Sequence, residues 1–327
     1  SETGILSRFK GKNVRRMPIR KRLIQVLAMI YSLFLLACLT PALALAQPLL
    51  VLSSDSSIYQ RTANAIQQHY NAPLRKITMA ERDNFSAPGT DTLIAIGSKA
   101  CESVLQSGPA KSQLICTFIP RSTYNQLLYR FEDTSFVDEQ RVTAIFLDQP
   151  LARQVQLARL IVPTARKVGT FFGPTSRKDR DLFIEAATKH RLFPVFISLR
   201  PEDNPVRKLQ PIIGKSDVFL PLPDRAIFNR ATAKWVLFIS LRQRVPLVGF
   251  SKKYVEAGAL AAVYSTPEQI GNQTAEQLAR LNTDGYLPPP RYPAEFSISI
   301  NHVTAETLGI PVPTASILEQ QLKETEQ

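Results

Sequence analysis

The sequence alternates short apolar runs, rich in branched residues, with longer segments of helical periodicity. In the first half of the chain this pattern predicts strands at 49–52, 93–96, 114–119 and 142–147. In the second half it predicts strands at 167–172, 194–199, 218–220 and 247–250. The helices predicted between strands include 57–70, 177–190 and 226–243. Because strands that alternate with helices form βαβ units, the sequence predicts an α/β protein with two Rossmann-like lobes built on parallel sheets.

The N-terminal segment has the charge and hydropathy profile of a secretory signal. A basic cluster between Arg15 and Arg22 precedes an apolar block at 23–39, and the small-x-small sequence Ala44-Leu45-Ala46 follows. This profile predicts a signal peptide over 1–46 and cleavage before Gln47. We therefore expect the protein to be exported to the periplasm.

Two features leave alternatives for this segment. Met17 stands just before the end of the basic cluster, so 1–16 would be an upstream extension. The apolar stretch is long enough to cross a bilayer, which makes an uncleaved membrane anchor one alternative. Lipid attachment at Cys38 is another, although Leu39 and a good cleavage site farther on argue against it.

The charge of the chain does not indicate nucleic-acid binding. The formal net charge is +13, and +6 of it remains for residues 47–327. Those basic residues are scattered, as in Arg75-Lys76 and Lys252-Lys253, whereas nucleic-acid binding favours a basic stripe interleaved with aromatic residues. The 281 residues from 47 to 327 exceed what one hydrophobic core usually fills, which again favours two lobes.

The residues that would indicate an enzyme or a metal site are isolated. His69, His190 and His302 have no partner at metal-ligand spacing, and no Gly-x-Ser-x-Gly sequence is present. The sequence therefore predicts no catalytic residue, no metal and no cofactor. Because catalytic groups can converge from distant positions, a periplasmic enzyme stays a remote alternative.

After the predicted signal the chain has two cysteines, Cys101 and Cys116. They fall near the start of a predicted helix and the end of the next strand, which are neighbouring places at one edge of a parallel sheet. A disulfide is possible there in an oxidising compartment, and two unreactive thiols are the alternative.

Polar residues follow the predicted strands, and ligands of such sheets bind beyond the carboxyl ends of strands. In the first half the candidate ligand-binding residues are Ser54, Asp55, Ser56, Gly97, Ser98, Ser122 and Tyr124. In the second half they are Thr175, Ser176, Asp224, Ser251 and Tyr254. The hydroxyl groups suit a carboxylate of the ligand, and Asp55 or Asp224 would bind its ammonium. Tyr124 or Tyr254 would stack on an apolar part of the ligand.

Each candidate also has a structural explanation. Serine and aspartate at these turns are favoured as helix N-caps, each of which contributes about 1 kcal/mol. Gly97 would serve a tight turn, and Tyr254 would cover the core of the second half.

Four segments resemble a known family. Gly258–Gly271, Ile300–Pro313, Val162–Pro174 and Val245–Ser251 are similar, in order and spacing, to segments of the substrate-binding proteins of one family of bacterial ABC transporters. That resemblance implies the type I periplasmic-binding fold, in which the chain crosses between lobes three times.

Carried onto this sequence, the crossings would fall near Asp148, Ser265 and Leu287. The first lobe would comprise 47–148 and about 266–286, and the second lobe 149–265 and about 287–327.

The resemblance also implies a function. Known ligands of the family include aromatic amino acids, so we expect a monomeric protein that captures an amino-acid-like molecule between its lobes and delivers it to an ABC permease. A subunit that presents its ligand to a periplasmic sensor domain is the alternative. The first half departs from the family, with Pro120-Arg121-Ser122 where relatives often have Asp-Pro, and Thr143-Ala144 where they have Thr-Gly.

Overall fold

A computed structural model describes residues 47–84, 92–109, 111–224, 226–227 and 230–326. The predicted signal peptide, with its anchor and lipid alternatives, lies outside these residues. Within them, no helix is both long enough and apolar enough to cross a membrane.

The first half of the chain forms a five-stranded sheet in the order β2-β1-β3-β4-β5, and all its strand pairs are parallel. Its strands are β1 (Leu49–Leu52), β2 (Arg75–Thr78), β3 (Thr92–Ile96), β4 (Gln113–Ile119) and β5 (Val142–Phe146). The helices of this half are α1 (Ser57–Tyr70), α2 (Ser98–Ser107), α3 (Arg121–Arg130) and α4 (Ser135–Asp138). A 3₁₀ helix spans Met79–Asn84.

Strands β1, β3 and β4 are apolar along nearly their whole length because helices cover both faces of the sheet. Leu49 and Val51 pack into one core, with Leu93 and Leu114, while Leu50 and Leu52 pack into the core on the other face. The first lobe, meaning this sheet and the helices on it, therefore has three layers.

The second half forms two three-stranded sheets, β7-β6-β8 and β11-β10-β9. Its strands are β6 (Lys167–Phe172), β7 (Phe193–Ser198), β8 (Val218–Phe219), β9 (Val248–Gly249), β10 (Ala261–Tyr264) and β11 (Ser297–Ile300). A parallel bridge between Phe219 and Leu247 joins the two sheets, and only β11 pairs in the antiparallel sense. This joined sheet is the centre of the second lobe.

Helices cover both faces of this joined sheet as well. They are α5 (Leu151–Ile161), α6 (Arg180–Lys189), α7 (Pro205–Gly214), α8 (Arg230–Arg242), α9 (Lys252–Glu256), α11 (His302–Leu308) and α12 (Ala315–Glu326). The long helix α10 (Pro267–Asp284) comes from this half of the sequence but packs on α1 of the first lobe. A capping box of Thr266 and Gln269 fixes the start of α10.

The chain passes between the lobes after β5, before α10 and after α10. Hydrogen bonds join these three passages: Gln149 Nε2 donates to Ser265 Oγ at 2.9 Å, and Ser265 Oγ donates to the carbonyl of Glu295 at 2.6 Å. After α10 the chain also adds Arg291 to the edge of the first sheet, beside Ile145. Residues 46–327 nevertheless form one compact unit, so the predicted lobe boundaries stay a prediction.

Candidate functional site

A cavity of about 510 Å³ lies where the carboxyl ends of strands from both lobes face each other. Its first-lobe wall comprises Ile58, Arg61, Phe118, Pro120, Arg121 and Ser122. Its second-lobe wall includes Leu151, Gln154, Thr175, Asp179, Leu222 and Ser251. The passages between lobes add Asp148, Gln149, Ser265, Thr266 and Tyr292. The cavity is therefore bounded by both lobes and by the segments that connect them.

Phe118 reaches the cavity through an irregularity in β4. The pairing of β4 with β5 shifts register between Thr117 and Ile119, and Phe118 adopts a left-handed φ of 57°. A bulge of this kind turns a side chain out of the alternation of the strand, and such strain is concentrated at functional sites. The ring of Phe118 also packs edge-on against Tyr59, with centroids 6.0 Å apart.

Arg121 occupies the centre of the cleft because Pro120 ends β4 and α3 begins immediately after it. The backbone N–H of Arg121 donates to Asp148 Oδ2 at 2.5 Å, which ties the start of α3 to the end of β5. Its guanidinium crosses to the second lobe and forms an ion pair with Asp179. Arg121 also lies close to Tyr292, whose ring packs against Phe146 with centroids 5.4 Å apart.

Two opposing effects act on Asp179. Burial raises the pKa of its carboxyl, the charge and hydrogen bond of Arg121 lower it, and the nearby charge of Asp224 raises it. The pKa lies above its ordinary value as a result. Burial also raises the pKa of the Tyr292 phenol, so this hydroxyl stays protonated at neutral pH.

The other arginine of the wall is paired within its own lobe. Arg61 donates to both carboxylate oxygens of Glu268, at 2.6 and 2.8 Å, and joins α1 to α10. This hydrogen-bonded pair lowers the pKa of Glu268. Arg61 is therefore a neutralised part of the wall.

A second cavity of about 680 Å³ adjoins the first and shares Arg121, Ser122, Thr175 and Asp179 with it. The Arg121–Asp179 pair thus lies between the two cavities. Among the described residues, no group of three or more His, Cys, Asp or Glu side chains is arranged to hold a metal ion.

A sequence model of the family described as ABC transporter substrate binding protein matches residues 60–321. The chain belongs to this family. No curated protein matches the sequence.

Solved structures that resemble this member of the family share its fold at low sequence identity. A substrate-binding protein with adhesive properties from Clostridium difficile, in its ligand-free open form, has a TM-score of 0.65 at 14% identity, with 83% of this chain and 97% of that chain covered. A conserved domain protein from Vibrio cholerae has a TM-score of 0.56 at 20% identity, with 84% and 98% covered.

An ABC domain from Streptococcus pneumonia in complex with L-Trp has a TM-score of 0.55 at 17% identity, with 84% of this chain and 98% of that chain covered. The predicted fold class, two Rossmann-like lobes in the type I periplasmic-binding architecture, is confirmed.

Three of the residues that the sequence predicted for ligand binding line the cavity of this family member: Ser122, Thr175 and Ser251. They follow the carboxyl ends of β4, β6 and β9, where ligands of parallel sheets are expected to bind. Their role in binding stays a prediction.

The structure places the two predicted stacking residues in the cores instead of the cavity. Tyr124 is 1% exposed and packs against Phe146, with ring centroids 5.8 Å apart. Tyr254 is 7% exposed and packs against Phe250 at 5.1 Å. Both tyrosines lie in helices, and they face the core side of the helix. Ser122 and Ser251, which precede them in the sequence, face the cavity.

Asp224 and Ser176 close a loop of the second lobe. Asp224 is 1% exposed, and its Oδ2 accepts hydrogen bonds from the N–H groups of Thr175 and Ser176 and from the Ser176 hydroxyl, at 2.7–2.9 Å. The N–H of Ala226 donates to Oδ1. With its lone pairs used in this way, Asp224 holds Thr175 at the cavity instead of binding an ammonium itself.

The remaining first-lobe candidates lie beside the cavity and not on its wall. Ser54, Asp55 and Ser56 are exposed ahead of α1, and Asp55 Oδ1 accepts from Gln60 Nε2 at 3.2 Å. Ser98 is the first residue of α2. Gly97 has a φ of 90°, and an added Cβ would lie 2.6 Å from Ser53 Oγ, so its role is the turn between β3 and α2.

Cys101 and Cys116 form a disulfide in the structure. The bond joins α2 to β4 inside the first-lobe core, on the face that is away from α1. It is therefore a structural link and no part of the cavity.

Sequence reasoning missed several residues of the wall. Arg121 lies in the segment 120–124 after a predicted strand, but only Ser122 and Tyr124 of that segment were predicted to bind ligand. Asp179 and Gln154 lie in helical segments, where polar residues are expected to face solvent. Arg121 and Asp179 meet across the two lobes, and no local sequence pattern reports such a contact. The sequence signal for Arg121 is its position immediately after the strand-ending Pro120.

Proposed function

We infer that this protein is the solute-binding component of an ABC importer and that it encloses an amino-acid-like, aromatic molecule between its lobes. The observation that carries this inference is the cavity of about 510 Å³, which lies within the usual range of about 300–1,000 Å³ for small-molecule sites. Family membership supports the same function.

The lining of the cavity suits such a ligand. Phe118, Phe250, Tyr264 and Tyr292 supply aromatic surface for a ring. Charged groups of both signs also line the cavity, namely Lys252, Lys253, the carboxylate of Asp148 and the Arg121–Asp179 pair, whereas Arg61 is already neutralised by Glu268. A zwitterion with an apolar side chain matches this mixture. The related fold that holds L-Trp adds support for this ligand class.

Binding would close the lobes about the three passages that connect them. Ligand contacts on both walls form fully only when the lobes approach, so the ligand shifts an open and closed population. In the periplasm, which the signal-like N-terminal profile favours, the closed form would dock on the permease.

The ligand is best tested by thermal shift and calorimetry with the natural amino acids. A true ligand at 100 times its Kd adds about 2.7 kcal/mol to the free energy of unfolding. Small-angle scattering with that ligand should show a more compact particle, and mass spectrometry should recover the ligand unchanged. Conversion of the ligand would contradict a binding protein, and the absence of any bound amino acid would contradict the ligand class.

A matched pair of variants locates the site. Ser122 is the second residue of α3 and lines the cavity, while Ser316 is the second residue of α12 and is exposed. Ser122→Trp should fill the cavity and reduce affinity at least about tenfold, whereas Ser316→Trp should bind as the wild type does. Equal effects of the two variants would place the ligand elsewhere.

The importer role is tested separately, by uptake of the identified labelled ligand in cells that lack the protein. Loss of uptake supports transport. Unchanged uptake, with loss of a transcriptional response to the same ligand, would instead identify a sensing subunit.

A further inference from the structure

The wall of the cavity contains a buried amide that has an unpaired acceptor. Gln154 lies on the first turn and a half of α5, is 4% exposed and lines the cavity. Its Oε1 has no hydrogen-bond donor among the described residues. More than nine in ten buried polar groups in proteins are paired, and an unpaired one costs free energy, so this exception needs an explanation.

The neighbours of Gln154 on the same helix show that the region is otherwise well paired. Arg153 donates to Gln149 Oε1 at 2.6 Å, to the carbonyl of Pro293 at 3.0 Å and to both carboxylate oxygens of Glu326 at 2.5 and 2.6 Å. Gln149 in turn donates to Ser265. Arg153 and Gln149 therefore have hydrogen-bond partners, whereas the Oε1 atom of Gln154 takes no part in this network.

The position of Gln154 explains what its amide would meet. Leu151 and Leu222 line the same cavity and belong to the apolar core of the second lobe. The terminal torsion of glutamine is broad, so Oε1 can turn toward a donor inside the cavity. A neutral amide beside apolar walls suits a neutral N–H or O–H donor, because a charged ammonium there would need a carboxylate partner.

We propose that Gln154 is a specificity-determining residue that accepts a hydrogen bond from a neutral N–H or O–H group on the ring of the ligand. This inference rests on the proposed function and deepens it. The site then favours aromatic ligands with a ring donor, such as an indole N–H or a phenol O–H, over ligands whose ring has none. Discrimination of this kind is strong because a ligand without the donor leaves the buried acceptor unpaired.

The test uses two pairs of probes that differ in one donor: L-tryptophan with 1-methyl-L-tryptophan, and L-tyrosine with L-phenylalanine. Calorimetry on the full chain should show that the wild type prefers the donor-bearing member of at least one pair by about tenfold, the factor for one hydrogen bond. Gln154→Met, which nearly conserves volume, should reduce that preference below about threefold without weakening the donor-free member.

Gln277→Met is the matched control. Gln277 is 3% exposed and its Oε1 likewise has no donor among the described residues, but it lies in the first lobe on α10, away from the cavity wall. This variant should keep the wild-type preference. A preference that persists in Gln154→Met reflects steric exclusion by the cavity and overturns the proposal, as does a wild type that binds both members equally.

Melting of the ligand-free protein gives an independent readout. Removal of an unpaired buried acceptor should raise the Tm of Gln154→Met by about 2–4 °C. A Tm at or below that of the wild type overturns the proposal, because the amide is then paired without ligand. If the wild type binds none of the four probes, the aromatic amino-acid ligand of the proposed function is overturned and the role of Gln154 with it, whereas equal binding within each pair overturns the role of Gln154 alone.

Discussion

Arg121 and Asp179 form an ion pair that joins the two lobes across the cleft. Arg121 begins α3 of the first lobe, and Asp179 ends the 3₁₀ helix Arg177–Asp179 of the second lobe. Both side chains line the two adjoining cavities. The pair therefore holds the two lobes together at the boundary between the two cavities.

Asp179→Asn should release the lobes without unfolding the protein. The pKa of Asp179 is raised, so the folded state holds its proton more tightly than the unfolded chain does, and the charged carboxyl adds no net stability at neutral pH. We expect the free energy of unfolding to stay within about 1 kcal/mol of wild type, because both side chains of the pair keep part of their surface in solvent and water can solvate the unpaired Arg121. The radius of gyration of the ligand-free protein should increase.

Asp181→Asn is the control for this change, because Asp181 lies two residues away and its side chain is 90% exposed. It should leave both measurements unchanged. A loss of more than about 2 kcal/mol in Asp179→Asn would show that the pair stabilises the fold itself.

Asp224→Asn should be strongly destabilising. Burial works to raise the pKa of Asp224, but hydrogen bonds from Ser176, Thr175 and Ala226 outweigh it and hold the pKa below its ordinary value. Asparagine keeps one acceptor oxygen, but its NH2 group would face either the N–H of Ala226 or the donors of Thr175 and Ser176, and the charge of the acceptor is lost. We therefore expect a loss of about 2–3 kcal/mol in urea unfolding at pH 7.

The contribution of Asp224 should also appear in the pH dependence of the free energy of unfolding. Because the folded pKa of Asp224 is depressed, its contribution is complete above its ordinary pKa near 3.8 and is lost as the pH falls through the lower folded value. This part of the acid-induced loss should be absent from Asp224→Asn. The exposed Asp284→Asn should behave as wild type within about 0.5 kcal/mol, and a shared acid profile for all three proteins would contradict the assignment.

Gly97→Ala and Gly258→Ala separate backbone strain from steric overlap. Both glycines have positive φ, but a Cβ at Gly97 would meet Ser53 Oγ at 2.6 Å and the Tyr59 ring at 2.8 Å, while a Cβ at Gly258 would meet nothing within 4 Å. We expect a loss of about 1 kcal/mol for Gly258→Ala and about 2–4 kcal/mol for Gly97→Ala. Denaturant unfolding measures both, and equal losses would mean that the turn after β3 can relax.

Reduction of the Cys101–Cys116 disulfide should lower stability by about 3 kcal/mol, the effect of closing a loop of about 15 residues in the unfolded chain. The double variant Cys101→Ala, Cys116→Ala should show a similar loss and no further response to reductant. If reductant leaves the wild-type transition unchanged, the two thiols are not joined in solution.

Sequence patterns predicted the buried strands well because both faces of a parallel sheet are covered. The bounds of β1, α1 and β6 agree with the prediction residue for residue. The edge strand β2, with the sequence Arg-Lys-Ile-Thr, was missed since its first two residues face solvent and give no apolar run. Helix α3 was missed because its polar sequence has no acidic residue in the first turn to mark a start.

The residues of the cavity wall were only partly predictable, for a geometric reason. Strand ends identify loops, and three of those loops place Ser122, Thr175 and Ser251 at the cavity. Which neighbouring side chain turns inward depends on the rotation of the following helix, and so Tyr124 and Tyr254 entered the cores. Gln154 is buried beside the core of its own lobe, at a helical position that the sequence pattern does not distinguish from a solvent-facing polar one.

The Ser265 hydroxyl receives one hydrogen bond from Gln149 and gives another to Glu295, so a single oxygen links three separate stretches of backbone. We therefore expect the three connecting segments to move together, as a single hinge with one axis of rotation. Connections that moved independently would let the halves shear and twist past each other. If the lobes close as proposed, these shared hydrogen bonds would bring the same two faces together each time, and the ligand would meet a constant set of atoms.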